Sequence, residues 1–247
     1  MNSFIQWIGG KKLLRNKIIE MFPEGLERYI EVFGGAGWVL FHKERHAALE
    51  VFNDINSNLI NLYRCIKYHS EELQRELDGL FVSREIFFDF QDQIKGSGLT
   101  DIQRAARYFN MIKTSFGGNT RSFNLNKRDL KGNTEYLSEI SERLQNVVVE
   151  NKDFGNLIDV YDREKALFFL DPPYYKMEKY YDILFLQEDH LRLCSKIRDI
   201  KGKFILSYND CEFVRELYKD FNIHEVSRNH SLSSKQNDYR ELLITNY

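Results

Sequence analysis

Hydrophobic and polar positions follow one another along the chain in the order typical of an α/β protein. Short apolar runs predict strands at 29–32, 49–52, 147–150, 166–170, 203–208, 223–226 and 241–247. Apolar residues at helical spacing predict helices between them, at 38–47, 55–66, 188–200 and 210–219. The run 166–170 is apolar at every position, which is typical of a strand buried on both faces. The pattern therefore predicts an alternating α/β sheet.

The stretch between 69 and 145 interrupts this alternation with helical patterns. Helices are predicted at about 71–79, 83–95 and 100–113, and Ser83 and Thr100 are candidate N-caps. A loop rich in Gly, Asn, Ser and Arg follows, and Thr134 would cap a further helix to about 145. We therefore predict one α/β domain, formed by 1–68 and 146–247, with a mainly helical insert at 69–145.

The strongest candidate site stands at the end of the fully apolar run, where Asp171, Pro172, Pro173 and Tyr174 follow in order. Two prolines cannot donate to a sheet ladder, so the strand ends there. Ligands of open α/β sheets bind at the carboxyl ends of strands. The Asp171 carboxylate and the Pro172 carbonyl could accept both hydrogens of one amino group, and Tyr174 offers a flat face for a ring. The alternative is a proline turn in which Asp171 is only a cap.

Other strand ends carry residues suited to a nucleoside. A turn containing Gly35 and Gly37 follows the first strand, where glycines allow close approach of a ligand. Asp54 follows the second strand and could accept hydrogen bonds from both hydroxyls of a ribose; alternatively, Asn53 or Asp54 caps the next helix. Asp153 follows the third strand and could accept from an adenine amine or cap a helix.

Composition limits the class of protein. The 247 residues, 43% of them hydrophobic, suffice for one α/β domain with an insertion. Three cysteines without a close pair argue for a reducing compartment, the N-terminus lacks a secretory signal, and no apolar run approaches the ~20 residues that cross a bilayer. We therefore expect a cytoplasmic protein. His42 and His46 have the spacing of metal ligands but no third ligand nearby, so we expect surface residues of a helix and no metal.

Positive charge is concentrated in the insert, although the whole chain has a formal net charge of −2. Residues 103–131 carry +6 and the remainder −8, and aromatic residues are interleaved with the basic ones. Basic residues hold phosphates, and aromatic residues wedge between bases or stack on them. A charge run is usually only a solvated surface, but this contrast favours nucleic-acid binding. The basic residues are Arg104, Arg107, Lys113, Arg121, Lys127, Arg128 and Lys131.

Five short motifs in one order resemble those of the Dam-like, D12-class family of DNA adenine methyltransferases. They are Trp-Ile-Gly-Gly-Lys at 7–11, Phe-Gly-Gly-Ala-Gly at 33–37, Asn-Asp-Ile-Asn at 53–56, Asp-Phe at 153–154 and Asp-Pro-Pro-Tyr-Tyr at 171–175. The resemblance extends from residue 4 to the last strand. It implies a Rossmann-like sheet of seven strands with the last one antiparallel, and a target-recognition insert before the catalytic strand.

The resemblance also implies the ligands. The cofactor would be S-adenosylmethionine, contacted by Trp7, Lys11, Phe33, Gly35, Gly37, Asp54, Asp153, Phe154 and Asp171. Double-stranded DNA would be bound by Arg107, Lys113, Asn119, Arg121, Asn124, Lys127 and Arg128. GATC-specific members share an Asn-Gly-Leu-x-Arg-Tyr-Asn hairpin. Residues 116–124 keep an arginine but differ in length and contact residues, so the resemblance does not extend to GATC as the target.

The reaction implied is methyl transfer to the exocyclic N6 amine of an adenine that is flipped out of the duplex, without a metal. Asp171, Pro172 and Tyr174 would be the catalytic residues. Two alternatives remain at this point: methylation of the cytosine exocyclic amine, whose enzymes more often carry Ser before the two prolines, and a cofactor-binding DNA module without catalysis. We expect a monomer, with a cognate restriction endonuclease as partner if the chain belongs to a restriction–modification pair.

Overall fold

Seven strands form one mixed sheet in the computed structural model, which describes residues 1–124, 131–177, 184–228 and 239–247. The strand order is β3-β2-β1-β4-β5-β7-β6, and β7 runs antiparallel to both of its neighbours while the other pairs are parallel. The predicted fold is therefore confirmed. The strands are β1 (Arg28–Glu31), β2 (Leu49–Asn53), β3 (Val147–Glu150), β4 (Ala166–Leu170), β5 (Lys203–Asn209), β6 (Asn222–Arg228) and β7 (Tyr239–Thr245).

Helices cover both faces of the sheet. None of those described is long and apolar enough to cross a membrane. Thr100 forms the predicted cap, because its hydroxyl accepts from the Gln103 amide and the Gln103 side chain accepts from the Thr100 amide. The helices are α1 (Arg15–Glu20), α2 (Ser57–Tyr68), α3 (Ser70–Asp78), α4 (Arg84–Gln93), α5 (Asp101–Lys113), α6 (Lys131–Leu144), α7 (Phe154–Tyr161), α8 (Gln187–Arg198) and α9 (Glu212–Leu217).

Strand β4 is buried at all five positions, as its continuous apolar run predicts. Leu167 and Phe169 belong to a core that also contains residues of α2, α5 and α6. Ala166, Phe168 and Leu170 belong to a second core, shared with α7, α8 and α9. The first core shows that the insert helices are packed directly on one face of the sheet.

A buried ion pair fixes the last insert helix to the sheet. Both terminal nitrogens of Arg143, on α6, lie 2.8 Å from the carboxylate oxygens of Glu50, on β2. The two side chains are only 6% and 2% exposed. Arg143 also donates to the carbonyls of Leu40 and Lys43, at 2.9 Å each. One side chain of the insert thereby holds both the sheet and the segment that follows the first glycine turn.

The prediction of a helix at 38–47 is wrong. Only a short 3₁₀ turn, Leu40–His42, forms there. The Leu40 amide donates to the Glu31 carboxylate, and the Arg143 guanidinium donates to the carbonyls of Leu40 and Lys43. Backbone groups that an α-helix would pair internally are thus bonded to side chains from other elements.

Two smaller predictions on helix ends are also wrong: Thr134 does not cap α6, and neither Asn53 nor Asp54 is the N-cap of α2. Thr134 lies inside α6, which begins at Lys131. Asn56 caps α2, where its side chain accepts from the Asn58 and Leu59 amides at 3.0 and 3.1 Å. Ser83 precedes α4 as predicted but makes no side-chain capping bond.

Arg143→Met should lower the free energy of unfolding by about 3–5 kcal/mol, because it leaves the Glu50 carboxylate buried without its cation. Urea titration at neutral pH measures the change. The double variant Arg143→Met/Glu50→Met removes both charges and should recover much of the loss. An unchanged unfolding midpoint in the single variant would show that this pair does not hold α6 to the sheet.

Candidate active site

Three strand ends meet at one edge of the sheet. The register places Glu31 of β1 beside Phe52 of β2 and beside Phe169 of β4. Two positions further along each strand, and so at the same level, stand one aromatic and two acidic residues: Phe33, Asp54 and Asp171. The parallel register therefore collects motifs that are far apart in sequence.

A cavity opens at this edge of the sheet. Six predicted cofactor residues line it together with Asp171. The remaining lining includes the aromatic rings of Trp38 and Phe185, the backbone of the glycine turn, and Gly118 and Asn119. The predicted residues are Trp7, Lys11, Phe33, Gly35, Gly37, Asp54 and Asp171.

Lys11 and Asp171 form a close ion pair at the cavity wall. The Lys11 ammonium lies 2.7 Å from Oδ1 and 2.8 Å from Oδ2 of Asp171, and it donates to the Gly9 carbonyl at 2.7 Å. The Lys11 side chain is 2% exposed and that of Asp171 is 17% exposed. A buried ammonium requires such partners. The pair fixes Asp171 at the end of β4, where its partly exposed side chain lines the cavity.

Asp54 supports the glycine turn and also faces the cavity. Its Oδ2 accepts from the Gly35 amide at 2.9 Å, and its Oδ1 accepts from the Asn56 amide at 2.8 Å. Burial raises the pKa of Asp54 despite these bonds. Gly35 has φ +49°, and a side chain there would press on the Trp7 indole. The amide of Asn53, the other candidate cap, instead joins strand ends by donating to the carbonyls of Val32 and Lys152.

Glu31 lines the cavity as well. Its position at the end of a buried strand is the one sequence feature that could have indicated a role for Glu31 in the site. Its Oε2 accepts from the Tyr29 hydroxyl at 2.7 Å and from the Leu40 amide at 2.8 Å. Burial raises the pKa of this carboxyl to about 8. Trp38 and Phe185 were missed for a different reason: no local pattern separates a cavity aromatic from a core aromatic.

Tyr174 is more enclosed than a stacking platform is expected to be. It is 7% exposed, and its hydroxyl lies 2.9 Å from both the Ser207 hydroxyl and Oε2 of Glu241. The Lys11 ammonium stands 4.9 Å from the centre of its ring. Two buried side chains, from β5 and β7, thus hold this ring in one orientation.

Asp153 and Phe154 lie beside the main cavity. They line a neighbouring cavity that shares Phe33, Ile55 and Phe185 with it. Asp153 caps α7 by accepting from the Gly155 amide at 2.9 Å, so the capping interpretation holds. Its place at the cavity leaves an additional role in ligand binding open to test.

The hairpin between Ser115 and Phe123, called the recognition hairpin after its proposed role, reaches the cavity with its tip. Ser115 and Phe123 pair across it, and the Asn119 side chain accepts from the amides of Arg121 and Ser122. Gly118 and Asn119 line the cavity, whereas Arg121 is exposed. Gly118 has φ +78°, and a side chain there would lie 2.4 Å from the Gln6 carbonyl oxygen. Glycine is therefore required where the hairpin meets the N-terminal segment.

Two of the predicted DNA-binding residues are engaged inside the insert. The Arg107 side chain is 16% exposed and donates to Gln93 and to the Gln103 carbonyl. Lys113 is 9% exposed, with its ammonium 5.1 Å from the centre of the Phe109 ring. Both sit on α5, which packs against α2, α3 and α4 and is covered on most sides. Asn124 is half-buried at the base of the hairpin; Lys127 and Arg128 lie outside the described residues.

Comparison with known proteins identifies the family. The model of the D12 class of N6 adenine-specific DNA methyltransferases matches residues 7–232. The chain is 31% identical to the type II methyltransferase M1.LlaDCHI of Lactococcus lactis subsp. cremoris, over its whole length and 96% of that protein. It is 25% identical to the DNA adenine methylase of Escherichia coli strain K12, over 94% of this chain and 89% of that one.

The chain belongs to the D12 class of N6 adenine-specific DNA methyltransferases. Another relative, the DNA N-6-adenine-methyltransferase of Escherichia phage P1, is 28% identical over 94% of this chain and 33% of its own. The resemblance drawn from the five motifs is confirmed. Of the alternatives, cytosine methylation and a DNA module without catalysis are set aside, because the family consists of adenine-specific enzymes.

Within the described part of this methyltransferase, no three His, Cys, Asp or Glu side chains are grouped as metal ligands would be. The prediction that His46 is a surface residue of a helix is wrong. Its Nε2 lies 2.8 Å from the Val39 carbonyl oxygen, and its ring packs against Tyr29 and Phe22. The i, i+4 spacing of the two histidines thus reflects packing in an irregular segment.

Glu31 predicts a pH dependence of stability in this methyltransferase. Because its folded-state pKa is raised from 4.5 to about 8, the folded state binds an extra proton between these values. The stability that this proton contributes is fully present below about pH 4.5 and lost as the pH rises through about 8. Relative to Glu31→Gln, the wild type should lose up to about 1.4 kcal/mol per pH unit within that window.

Urea titrations of both proteins at several pH values between 5 and 8 measure this difference. Glu216→Gln, a change at an exposed carboxylate paired with Lys219, serves as the control. Parallel stability curves for wild type and Glu31→Gln would contradict the raised pKa.

Proposed function

We propose that S-adenosylmethionine binds in the cavity at the edge of the sheet, and that Asp171 and the Pro172 carbonyl orient the N6 amine of a flipped adenine beside it. The observation that carries this proposal is the Asp171 carboxylate, held by Lys11 at the cavity wall and level with Asp54. S-adenosylmethionine would supply an electrophilic methyl group. All other roles fall to side chains and backbone of this chain.

The residues around the cavity fit such a cofactor. Asp54 lines the cavity, and a carboxylate there suits the two hydroxyls of a ribose as a hydrogen-bond acceptor. The glycine turn allows close approach of a ligand, and Trp7 and Phe33 provide apolar walls. Asp153 and Phe154, at the adjoining cavity, are placed to meet the adenine. The donor and acceptor set is therefore that of a nucleoside site.

Asp171 acts on the target amine by geometry and by charge. The amine of adenine is a poor nucleophile because its lone pair is delocalised into the ring. Accepting its two hydrogens with the carboxylate and the Pro172 carbonyl favours a tetrahedral nitrogen, and the carboxylate stabilises the positive charge that develops there. Two prolines and the Lys11 ion pair hold these acceptors in place before the substrate arrives.

Tyr174 would contact the flipped base from a fixed position. Its hydroxyl is held by Ser207 and Glu241, so the ring does not need to be ordered when the base enters. Since the ring is 7% exposed and Lys11 lies over it, contact with the base is limited to its accessible edge unless Lys11 moves. Removing the base from the duplex costs a few kcal/mol, roughly, and such contacts offset part of that.

The recognition hairpin supplies the DNA contacts that we retain. Arg121 is exposed at its tip, and Asn119 and Asn124 flank it. Phe116 is 68% exposed on the same hairpin, where an aromatic ring can wedge between bases. Lys127 and Arg128 remain candidates from the sequence. We divide the chain by function into a catalytic part, 1–68 with 146–247, and a recognition part, 69–145, although the two share a hydrophobic core.

The biological setting follows from the relatives. The similar type II methyltransferase from Lactococcus lactis supports a restriction–modification role with a cognate endonuclease. The hairpin departs from the pattern of GATC-specific members, which supports a different target. A monomer suffices for the reaction, because the proposed cofactor and base positions lie on one chain.

Asp171→Ala should reduce single-turnover methylation by at least about 10²–10³-fold, because one of the two acceptors of the amine and its nearby negative charge disappear. The measurement uses saturating cofactor and a duplex that contains the target. Asp210→Ala is a matched control: Asp210 directly follows β5 and pairs with Arg215, but does not line the cavity. DNA binding should persist in both variants, and methylation by Asp171→Ala near the wild-type rate would refute the mechanism.

Arg121→Ala should weaken binding of target DNA more than that of random DNA, if Arg121 reads a base edge. If it contacts phosphate alone, both affinities should fall together and the salt slope should decrease by about one unit. Arg75→Ala, at an exposed arginine of α3 in the same insert, is the control. Equal binding of both DNAs by Arg121→Ala and wild type would remove Arg121 from the interface.

A further inference from the structure

A side chain that no motif includes, Arg192, closes the cavity beside the proposed cofactor site. This second cavity adjoins the first and shares the lining residues Phe33, Ile55 and Phe185 with it. Asp153, Phe154 and Arg192 line it from α7 and α8. A ligand group placed beside Phe33 on this side would therefore meet these three side chains.

Arg192 holds Asp153 with both of its terminal nitrogens. Nη1 donates to Oδ1 and Nη2 donates to Oδ2, at 2.8 Å each. Nη2 also lies 3.1 Å from the Asp189 carboxylate, and the guanidinium carbon lies 3.9 Å from the centre of the Phe154 ring. A planar guanidinium bound bidentately and stacked on a ring has one orientation, so the plane of the carboxylate is fixed too.

This clamp leaves the Asp153 carboxylate accessible at the cavity, because its side chain remains 35% exposed. Oδ1 accepts from the Gly155 amide and from Arg192, and Oδ2 accepts from Arg192. Each carboxylate oxygen has two acceptor positions, so the exposed part of the group can accept from a ligand. The hydrogen bond from Arg192 also lowers the pKa of Asp153, which keeps the group an acceptor at neutral pH.

We infer that Arg192 is a positioning residue that makes the cofactor site selective for a 6-amino purine, by fixing Asp153 to accept from the exocyclic amine of that ring. The inference rests on the proposed cofactor site. Adenine presents a donor at this position, whereas hypoxanthine presents a carbonyl oxygen that a carboxylate repels. Phe154, held on one side by the guanidinium, completes the apolar wall.

The neighbouring ion pair shows how this arrangement differs from an ordinary helix contact. Lys196 pairs with Asp159 between the same two helices, one turn further along α8. That pair has a single contact and neither residue lines either of the two cavities. Lys196→Met therefore removes an α7–α8 ion pair without changing the proposed purine contact.

Calorimetry with S-adenosylhomocysteine and S-inosylhomocysteine tests the inference without requiring turnover. Wild type should prefer the adenosyl compound by at least about tenfold, the scale of a hydrogen bond to a charged group. Arg192→Met should lose most of this preference, Arg192→Lys should keep an intermediate part of it, and Lys196→Met should keep all of it.

The outcomes separate this inference from the function on which it rests. Equal affinity of wild type for both compounds, or an unchanged preference in Arg192→Met, would overturn the role of Arg192 while leaving the cofactor site intact. Failure of wild type to bind either compound would overturn the proposed cofactor site itself. If Arg192→Met does not fold, the preference of Arg192→Lys decides: a value equal to that of wild type refutes the inference.

Discussion

The ion pair between Lys11 and Asp171 joins the first motif of the chain to the end of its central strand, across 160 positions of sequence. A buried ammonium is stable only beside a counter-charge and hydrogen-bond acceptors, and Asp171 and the Gly9 carbonyl supply these. The N-terminal segment must therefore cross over the strand ends. Its Trp7 then covers the glycine turn, and the edge of the sheet becomes a cavity. Without this pair, Asp171 would be one carboxylate at an open sheet edge.

The same segment connects the cavity to the recognition insert. Gly118 of the hairpin fits against the Gln6 carbonyl with no room for a side chain, and Gly118 and Asn119 form part of the cavity wall. On the opposite side, Arg143 of the insert binds Glu50 and the backbone after the glycine turn. The insert and the rest of the chain are therefore one packed body in this region, which is what the proposed presentation of a single base to Asp171 requires.

Much of the fold was predictable from the sequence because its signals are local. The apolar run of β4, the strand ends at Asp54 and Asp171, and the cap at Thr100 each depend on a few neighbouring residues. The register of parallel strands then brought the predicted residues Phe33, Asp54 and Asp171 to one level. The helix expected at 38–47 failed because it depends on distant partners: bonds to Glu31 and Arg143 replace it. The burial of Arg107 and Lys113 in the packed insert also depends on residues that are far away in sequence. The proposed role of Arg192 could not be predicted from the sequence, because it depends on contact with Asp153, which caps another helix.

We conclude that one chain carries a site for transfer of a methyl group to the amine of adenine. To test this, the purified protein and duplex DNA are incubated with S-adenosylmethionine that carries tritium in its methyl group, the DNA is digested, and the labelled base is identified. All of the label should be found in N6-methyladenine. Label in N4-methylcytosine, or DNA that remains unlabelled although it contains the target, would refute this conclusion.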